Sequence, residues 1–306
     1  MISMKNNSSP VFLVTGASGF VGSKLCCHLA SHCTVVGTCC SHPVSLPDCR
    51  SIILDITDRE QVHAALRAVQ PTHIIHAAAI SAPDICESRP QAAWDINCGG
   101  TQHIIDAANA IGSRLVFVST DLVFDGRQGY YAETDQPNPL NQYARTKIDA
   151  EKLCLKTSIN CLVVRITLQY GLSRGMGASC ADGLIHRLSH GQESLLFTDQ
   201  FRTPTYVMDT ARGLELAALH GRPGELYHLA GPERIDRYGF AQKLASIFNL
   251  PEHLLRPCSM DDIPTGALRP RDASLCGKKF TGLFHFTPRG ITEGLKTMVY
   301  EKSTTI

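Results

Sequence analysis

A glycine-rich turn close to the N-terminus constrains the fold of this chain more than any other feature. Val11–Thr15 is a short apolar run rich in β-branched residues, and Gly16, Gly19 and Gly22 follow it with the spacing G-x-x-G-x-x-G. A helical pattern then continues to about residue 31. Glycines let the backbone turn sharply and approach a pyrophosphate, which then lies at the positive N-terminus of the helix. This order of strand, turn and helix predicts a dinucleotide-binding unit.

The rest of the first half repeats strand-like and helical patterns in alternation. Apolar runs suited to strands occur at residues 34–39, 51–54, 72–76, 115–119 and 161–165, and one long helix carrying Asn97 is predicted over residues 91–111. This alternation predicts a mostly parallel sheet with helices on both faces. Ligands of such sheets bind beyond the carboxyl ends of the strands, where Gly16, Ala78 and Thr120 fall. The small residues Ala77, Ala78 and Ala79 suit a cofactor lying against the backbone, but they equally suit helix packing.

A tyrosine and a lysine on a later helix form a candidate proton-transfer pair. Asn141 is a plausible N-cap, and Tyr143 and Lys147 lie four residues apart beyond it, so both project from one face. A nearby positive charge favours the phenolate and makes the tyrosine proton easier to transfer. Tyr-x-x-x-Lys and a threonine at a strand end, such as Thr120, are each common in ordinary proteins. Their combination with the glycine turn indicates a Ser/Thr–Tyr–Lys catalytic arrangement.

The end of the second strand bears on the choice of cofactor. Enzymes that prefer NAD usually place an acidic residue there to bind the ribose hydroxyls. This chain instead has Cys39, Cys40, Ser41 and His42. Nothing there repels a 2′-phosphate, so NADP(H) is favoured over NAD(H), although no arginine follows immediately. Ser41 and His42 are the nearest candidate phosphate contacts.

Composition excludes several classes of protein. The 306 residues carry a formal net charge of +1, which gives no electrostatic reason to expect nucleic acid or an anionic membrane as a partner. No apolar run is long enough to span a bilayer. The first ten residues lack the apolar segment of a signal peptide. Thirteen cysteines without a Cys-x-x-Cys pair are a poor disulfide framework, so we expect a reducing, cytoplasmic setting.

Two histidines in the first helix raise the question of a metal. His28 and His32 have i,i+4 spacing, and Cys27 and Cys33 flank them. No second ligand pair follows at the spacing of a zinc site. We therefore favour the interpretation that these residues lie on the outer face of a surface helix, and we predict no metal.

Several motifs together resemble a known family. The chain is similar to extended short-chain dehydrogenases/reductases and, more narrowly, to the dTDP-4-dehydrorhamnose reductase family and its relative, the regulatory β subunit of methionine adenosyltransferase. The resemblance rests on the glycine turn and on four further segments. These are Ser119-Thr120-Asp121-x-Val123-Phe124-Asp125-Gly126, Asn138-Pro139-Leu140-Asn141-x-Tyr143-x-x-Thr146-Lys147, residues 165–171, and Arg269-Pro270-x-x-Ala273-x-Leu275.

The resemblance implies a Rossmann-type, doubly wound domain (residues 1–167 and about 203–230) and a smaller, discontinuous substrate-binding domain (about 168–202 and 231–306). It matches Thr120, Tyr143 and Lys147 to the catalytic trio. Besides Tyr143, Lys147 and the candidates Ser41 and His42, the expected cofactor contacts are Gly16, Ser18, Gly19, Phe20, Val21, Gly22, Asp55, Ile56, Ala77, Ala78, Ala79, Asn97 and Arg165. The expected substrate contacts are Asp121, Leu122, Thr167, Arg202 and Arg269.

The resemblance also implies a reaction. We expect hydride transfer from NADPH to the keto carbon of a nucleotide-linked 4-keto sugar, with Tyr143 as proton donor, and we allow for a homodimer. Leu122 stands where the family usually has tyrosine, so the sugar is not specified. Two alternatives stay open: a non-catalytic, NADP-binding regulatory subunit, and a nucleotide-sugar epimerase or dehydratase. Arg202, Arg269 and Arg271 suit a diphosphate clamp and equally a solvated surface.

Overall fold

The computed structural model describes residues 9–41, 44–157, 160–173, 177 and 179–304; His42 lies outside these residues. The strands of the first half follow the predicted pattern within one or two residues at each end. The described strands are β1 (Val11–Thr15), β2 (Thr34–Cys39), β3 (Arg50–Ile53), β4 (His73–His76), β5 (Arg114–Thr120), β6 (Cys161–Ile166), β7 (Gln169–Tyr170), β8 (Ser194–Phe197), β9 (Phe201–Arg202), β10 (Thr205–Tyr206), β11 (Leu226–Leu229), β12 (Ile235–Asp236) and β13 (Leu255–Cys258).

Helices alternate with these strands along the chain. The described α-helices are α1 (Phe20–Ala30), α2 (Arg59–Val69), α3 (Pro83–Ser88), α4 (Pro90–Trp94), α5 (Thr101–Ile111), α6 (Gln142–Thr157), α7 (Cys180–Ser189), α8 (Val207–His220), α9 (Arg237–Ile247), α10 (Lys278–Phe284) and α11 (Ile291–Ser303). Within the described residues, no helix is both long enough and apolar enough to cross a membrane.

One helix prediction was wrong in detail. The expected continuous helix over residues 91–111 is interrupted, because Asp95–Gly100 forms a π-helical turn between α4 and α5. Such a turn carries more residues than an α-helical turn, and π-bulges are frequent at functional sites. Here the turn contains Asn97, which is 1% exposed and bonds to a neighbouring loop.

Seven strands form the central sheet, and all of their pairings are parallel. The order is β11-β6-β5-β4-β1-β2-β3. At its centre, Val14 of β1 pairs with Gly37 of β2 on one side and with Ile75 of β4 on the other. Strands covered on both faces are apolar nearly throughout, as β1, β5 and β6 are. The predicted Rossmann-type fold is confirmed.

Apolar clusters cover both faces of the sheet. On one face, Leu25 of α1 and Leu214 of α8 belong to a buried cluster with strand residues. On the other face, Leu66 of α2 and Ile104 of α5 belong to a second buried cluster with strand residues. A third cluster joins α7, α9 and α11. The division into two domains stays a prediction.

Candidate active site

The glycine turn lies where the order of the sheet reverses, between β1 and β4. Gly16 has φ +73°, and a Cβ there would lie 2.9 Å from the backbone of Ala78. A Cβ on Gly22 would lie 2.2 Å from the carbonyl oxygen of Gly16. Side chains are therefore excluded from both positions, and the N-terminus of α1 stays open beside the turn. Ligands of doubly wound sheets bind at this crossover.

A buried histidine joins the two strands that border the crossover. His76 Nδ1 lies 2.6 Å from Thr15 Oγ1, and His76 Nε2 lies 3.0 Å from Thr101 Oγ1. The backbone N–H groups of Ala77 and Ala78 also donate to Thr15 Oγ1, at 3.1 Å. Burial, and secondarily the charge of Lys147, lowers the pKa of His76 to about 3. The ring is therefore neutral near pH 7, and it holds the ends of β1 and β4 together.

A cleft of about 680 Å³ opens at this edge of the sheet, and most of the predicted contacts lie on its walls. The predicted residues that line it are Gly16, Ser18, Gly19, Phe20, Val21, Gly22, Asp55, Ile56, Ala77, Ala78, Ala79, Thr120, Asp121, Leu122, Tyr143, Lys147 and Thr167. Thr167 is additionally bonded to the protein, since its hydroxyl donates to the Thr203 carbonyl at 2.6 Å.

The three candidate catalytic residues come from two neighbouring elements. Thr120 ends β5, and Tyr143 and Lys147 lie one turn apart near the start of α6. That helix is capped as predicted, because Asn141 Oδ1 accepts a 2.9 Å hydrogen bond from the Ala144 N–H. All three side chains border the cleft although the residues are almost fully buried. The structure thus brings a hydroxyl, a phenol and an ammonium to one cavity.

Burial dominates the protonation of this trio. Burial raises the pKa of the Tyr143 phenol. The hydrogen bond with the Thr120 hydroxyl lowers this pKa, and the charge of Asp121 raises it. Burial also lowers the pKa of Lys147 to about 8. The Lys147 ammonium lies 3.9 Å from the centre of the Phe117 ring. The expected lowering of the phenol pKa by Lys147 is not among the causes of the shift; removal from water is the largest, so Tyr143 keeps its proton.

An ion pair lies beside the trio. Arg202 Nε and Asp121 Oδ2 are 3.6 Å apart, and both residues are buried. Burial raises the pKa of Asp121, which the Arg202 charge opposes. The Asp121 Oδ2 atom accepts no hydrogen bond from a described residue. Arg202 itself donates to the backbone oxygens of Phe201 and Pro270, and it does not line the cleft.

Four other predicted contacts also lie away from the cleft walls. Arg165 pairs with Glu151, and Arg269 pairs with Asp84 at 2.5 Å. Asn97 binds both backbone groups of Ile80 and, at 2.9 Å, the Thr146 hydroxyl, so it braces the cleft from behind. Ser41 is exposed, and its neighbour Cys40 borders the cleft instead. Arg271 is bonded to Asp199 and Asp261. Arg202, Arg269 and Arg271 are thus each paired with an acidic side chain of the chain itself, and the diphosphate clamp stays one of the two interpretations left open.

Sequence reasoning also missed residues that line the cleft. They are Thr38, Cys40, Leu54, Ile80, Ser81, Ile96, Val118, Ser119, Ile166, Leu168, Gln169 and Cys180. Several lie at or just beyond the carboxyl ends of β2, β3 and β6, so the strand-end rule could have found them. Cys180, at the start of α7, carried no such signal.

The all-parallel strand order, the glycine turn at the crossover and the cleft beside it define a Rossmann-type α/β protein of the short-chain dehydrogenase/reductase class. Residues 11–304 match the family described as RmlD substrate binding domain, and the chain belongs to that family. The family resemblance inferred from the motifs is confirmed.

Three known proteins illustrate the similarity. The methionine adenosyltransferase 2 subunit beta of Mus musculus is 35% identical over 300 residues, covering 95% of this chain and 88% of the relative. A dTDP-4-dehydrorhamnose reductase from Aggregatibacter actinomycetemcomitans is 31% identical, covering 80% of this chain and 86% of the relative. The crystal structure of a dTDP-4-dehydrorhamnose reductase from Bacillus anthracis in complex with NADP superposes with a TM-score of 0.85 at 25% identity, covering 96% and 100%.

Proposed function

We propose that this protein reduces the keto group of a nucleotide-linked 4-keto sugar at the expense of NADPH. The observation that carries the proposal is the shared cleft: Thr120, Tyr143 and Lys147 border the same cavity as the glycine turn. The similarity to two dTDP-4-dehydrorhamnose reductases supports this substrate class.

The residues around the glycine turn fit a dinucleotide. A Cβ on Gly16 or Gly22 would meet backbone atoms, so these positions keep the approach to the N-terminus of α1 free. Thr38 and Cys40, from the end of β2, line the cleft without an acidic neighbour on that strand. This lack of negative charge supports NADP(H) over NAD(H). The structure in complex with NADP, named above, supports the same choice.

When bound, NADPH supplies the hydride, and the residues of the chain manage the proton. Tyr143 holds a proton at its phenol oxygen because burial raises its pKa. It gives that proton to the carbonyl oxygen of the substrate. Lys147, one helical turn away, stabilises the tyrosinate that remains. Thr120 donates a hydrogen bond to the same carbonyl oxygen as negative charge develops there.

Asp121 and Leu122 are proposed to contact the sugar. Asp121 lines the cleft, and its Oδ1 atom accepts a 3.2 Å hydrogen bond from the Thr120 hydroxyl and has a second lone pair for a substrate hydroxyl, whereas Oδ2 faces Arg202. Leu122 packs near Tyr143 and Cys86 in a small apolar cluster beside the cleft. A leucine there offers no hydroxyl to the substrate, so this wall of the site binds an apolar edge of the sugar.

The test is NADPH oxidation followed by absorbance, with dTDP-4-dehydrorhamnose generated in situ and related 4-keto sugars in parallel. Tyr143→Phe is expected to lower the rate by about 10²- to 10⁴-fold, the usual contribution of a general acid, while NADPH still binds. Tyr300→Phe is the matched control, because Tyr300 is 70% exposed on α11. Unchanged turnover in Tyr143→Phe removes that residue from the mechanism. Repeating the assay with NADH tests the cofactor preference.

A second candidate is a cofactor-binding regulatory subunit without turnover. It is favoured by the identity to the methionine adenosyltransferase 2 subunit beta, which extends over 95% of this chain against 80% for the reductase relative. This candidate predicts NADPH binding, no oxidation with any keto sugar, and co-elution with a methionine adenosyltransferase catalytic subunit in gel filtration. Keto-sugar-dependent oxidation that requires Tyr143 excludes a purely regulatory role.

A further inference from the structure

Two histidines and a glutamate converge on the face of the molecule where α1 packs against α8. His28 and His32 lie one turn apart on α1, and Glu215 lies on α8. The distance from His28 Nε2 to Glu215 Oε2 is 2.7 Å, and that from His32 Nε2 to Glu215 Oε1 is 2.6 Å. Three potential ligand atoms, one from each residue, lie within 4.8 Å of one another. None of these residues lines the cleft described above.

The hydrogen bonds around His32 favour the tautomer whose free nitrogen, Nε2, faces Glu215. The Ser31 hydroxyl donates to the His28 carbonyl oxygen at 2.8 Å, which uses its only proton. Ser31 Oγ lies 2.9 Å from His32 Nδ1, so it accepts from that nitrogen. A neutral His32 ring then carries its lone pair on Nε2, facing a carboxylate oxygen. At 2.6 Å the two atoms are at hydrogen-bond distance. Two ligand atoms of one tetrahedral Zn²⁺ ion lie about 3.3 Å apart, so small side-chain rotations that separate them would make room for the metal.

The carboxylate of Glu215 and the solvent exposure of the cluster suit the binding of a cation. The Glu215 carboxylate presents one oxygen to each histidine, at 2.7 Å for His28 and 2.6 Å for His32. The side chains of His32 and Glu215 are 43% and 13% exposed, so the cluster can be reached from solvent and water can complete a coordination shell. Ser31 supplies the outer hydrogen bond that usually orients a metal-binding histidine.

We propose that His28, His32 and Glu215 bind a Zn²⁺ ion or a chemically similar late first-row divalent cation, with water in the remaining position. Two imidazoles and one carboxylate are an established ligand set for this ion. The site links α1, which begins at the glycine turn, to α8 across 187 residues of sequence. Cys27 and Cys33, the flanking cysteines, are not members of the cluster.

The experiment uses the full chain, freed of metal with a chelator and titrated with Zn²⁺ against a chromogenic competitor. We expect one equivalent to bind, and we expect His28→Ala and Glu215→Gln to weaken binding by about 100-fold or more, since even outer-shell losses cost about 10- to 100-fold. The double variant His186→Ala/His190→Ala is the matched control. It removes another i,i+4 pair, with rings 4.3 Å apart, which belongs to no ligand cluster among the described residues. Its affinity for Zn²⁺ is expected to be unchanged.

Cobalt(II) distinguishes this site from the many cysteines. A site of two imidazoles and a carboxylate gives tetrahedral ligand-field bands without a thiolate-to-cobalt charge-transfer band. We expect that spectrum in the natural chain, and its loss in His32→Ala, whose exposed position favours normal folding; circular dichroism checks this. Absence of Zn²⁺ binding, a thiolate band, or equal affinity in the natural chain and Glu215→Gln each overturns the proposal and leaves a histidine pair that is only hydrogen-bonded to Glu215.

Discussion

Glu151 and Arg165 are joined by two hydrogen bonds, of 2.7 and 2.9 Å, between side chains that are 5% and 3% exposed. The Ser119 hydroxyl donates to the same carboxylate at 2.5 Å. Ser119 lines the cleft, whereas Glu151 and Arg165 do not. The pair therefore lies behind the strand ends that carry the site and supports them, and the cofactor contact expected of Arg165 stays a prediction.

Arg165→Met tests this arrangement. Removing one partner of a buried pair leaves the other charge unpaired, so we expect a loss of about 3–5 kcal/mol in the free energy of unfolding. Arg256→Met is the matched control, because its pair with Glu193 is about half exposed and should contribute at most about 1 kcal/mol. Urea unfolding measures both. A variant that keeps its stability but loses NADPH affinity would restore the cofactor role.

Gly22→Ala is expected to weaken NADPH binding by about tenfold or more, which corresponds to at least about 1.4 kcal/mol. The added methyl would lie 2.2 Å from the Gly16 carbonyl oxygen, a backbone atom that cannot move aside without deforming the turn. Gly99→Ala is the control, since a Cβ there meets nothing within 4 Å. Quenching of protein fluorescence by NADPH provides the measurement. Equal affinities in the two variants would show that the turn does not approach the cofactor.

Local signals account for what the sequence predicted well. The glycine turn, the Asn141 cap and the spacing of Tyr143 and Lys147 depend only on neighbouring residues, and the strand-end rule then placed Thr120 beside them. Arg165 shows where such reasoning ends. Consecutive strand residues face opposite sides of a sheet, and it is Ile166, not Arg165, that lines the cleft.

Long-range contacts explain why the sequence did not predict the π-helical turn or the contact of Glu215 with the two histidines. The π-helical turn depends on the bonds that Asn97 makes to Ile80 and Thr146, and no periodicity within residues 91–111 encodes them. Glu215 reaches His28 and His32 only because α8 packs on α1. Spacing within one helix therefore could not identify the carboxylate that these histidines contact.

The free energy of unfolding depends on pH in part through His76. Its pKa is about 3 in the folded chain and about 6.5 when unfolded, so its contribution is fully present above pH 6.5 and is lost as pH falls towards 3. His76→Leu leaves Thr15 and Thr101 without this partner, and we expect it to cost about 1–3 kcal/mol at about pH 7.5 and clearly less at about pH 5. Urea unfolding at both pH values measures the difference. His253→Leu, at an exposed position, should cost within about 0.5 kcal/mol. A cost for His76→Leu that does not change with pH would mean that the ring is solvated.

Lys147 gives a pH dependence of the same sign in an alkaline window. Burial lowers its pKa from 10.5 to about 8, so at neutral pH the folded chain holds a charged ammonium at a cost of roughly 3 kcal/mol. The unfolded chain binds more protons between pH 8 and pH 10.5, and stability attributable to this group rises through that window. We expect the free energy of unfolding of the natural chain to increase relative to Lys147→Met as pH is raised from about 7.5 to about 10. The difference in the free energy of unfolding between the two proteins cancels the contributions of tyrosines and cysteines that titrate in the same pH range. A constant difference across that range would show that Lys147 keeps an ordinary pKa, and that burial does not penalise its charge in the folded chain.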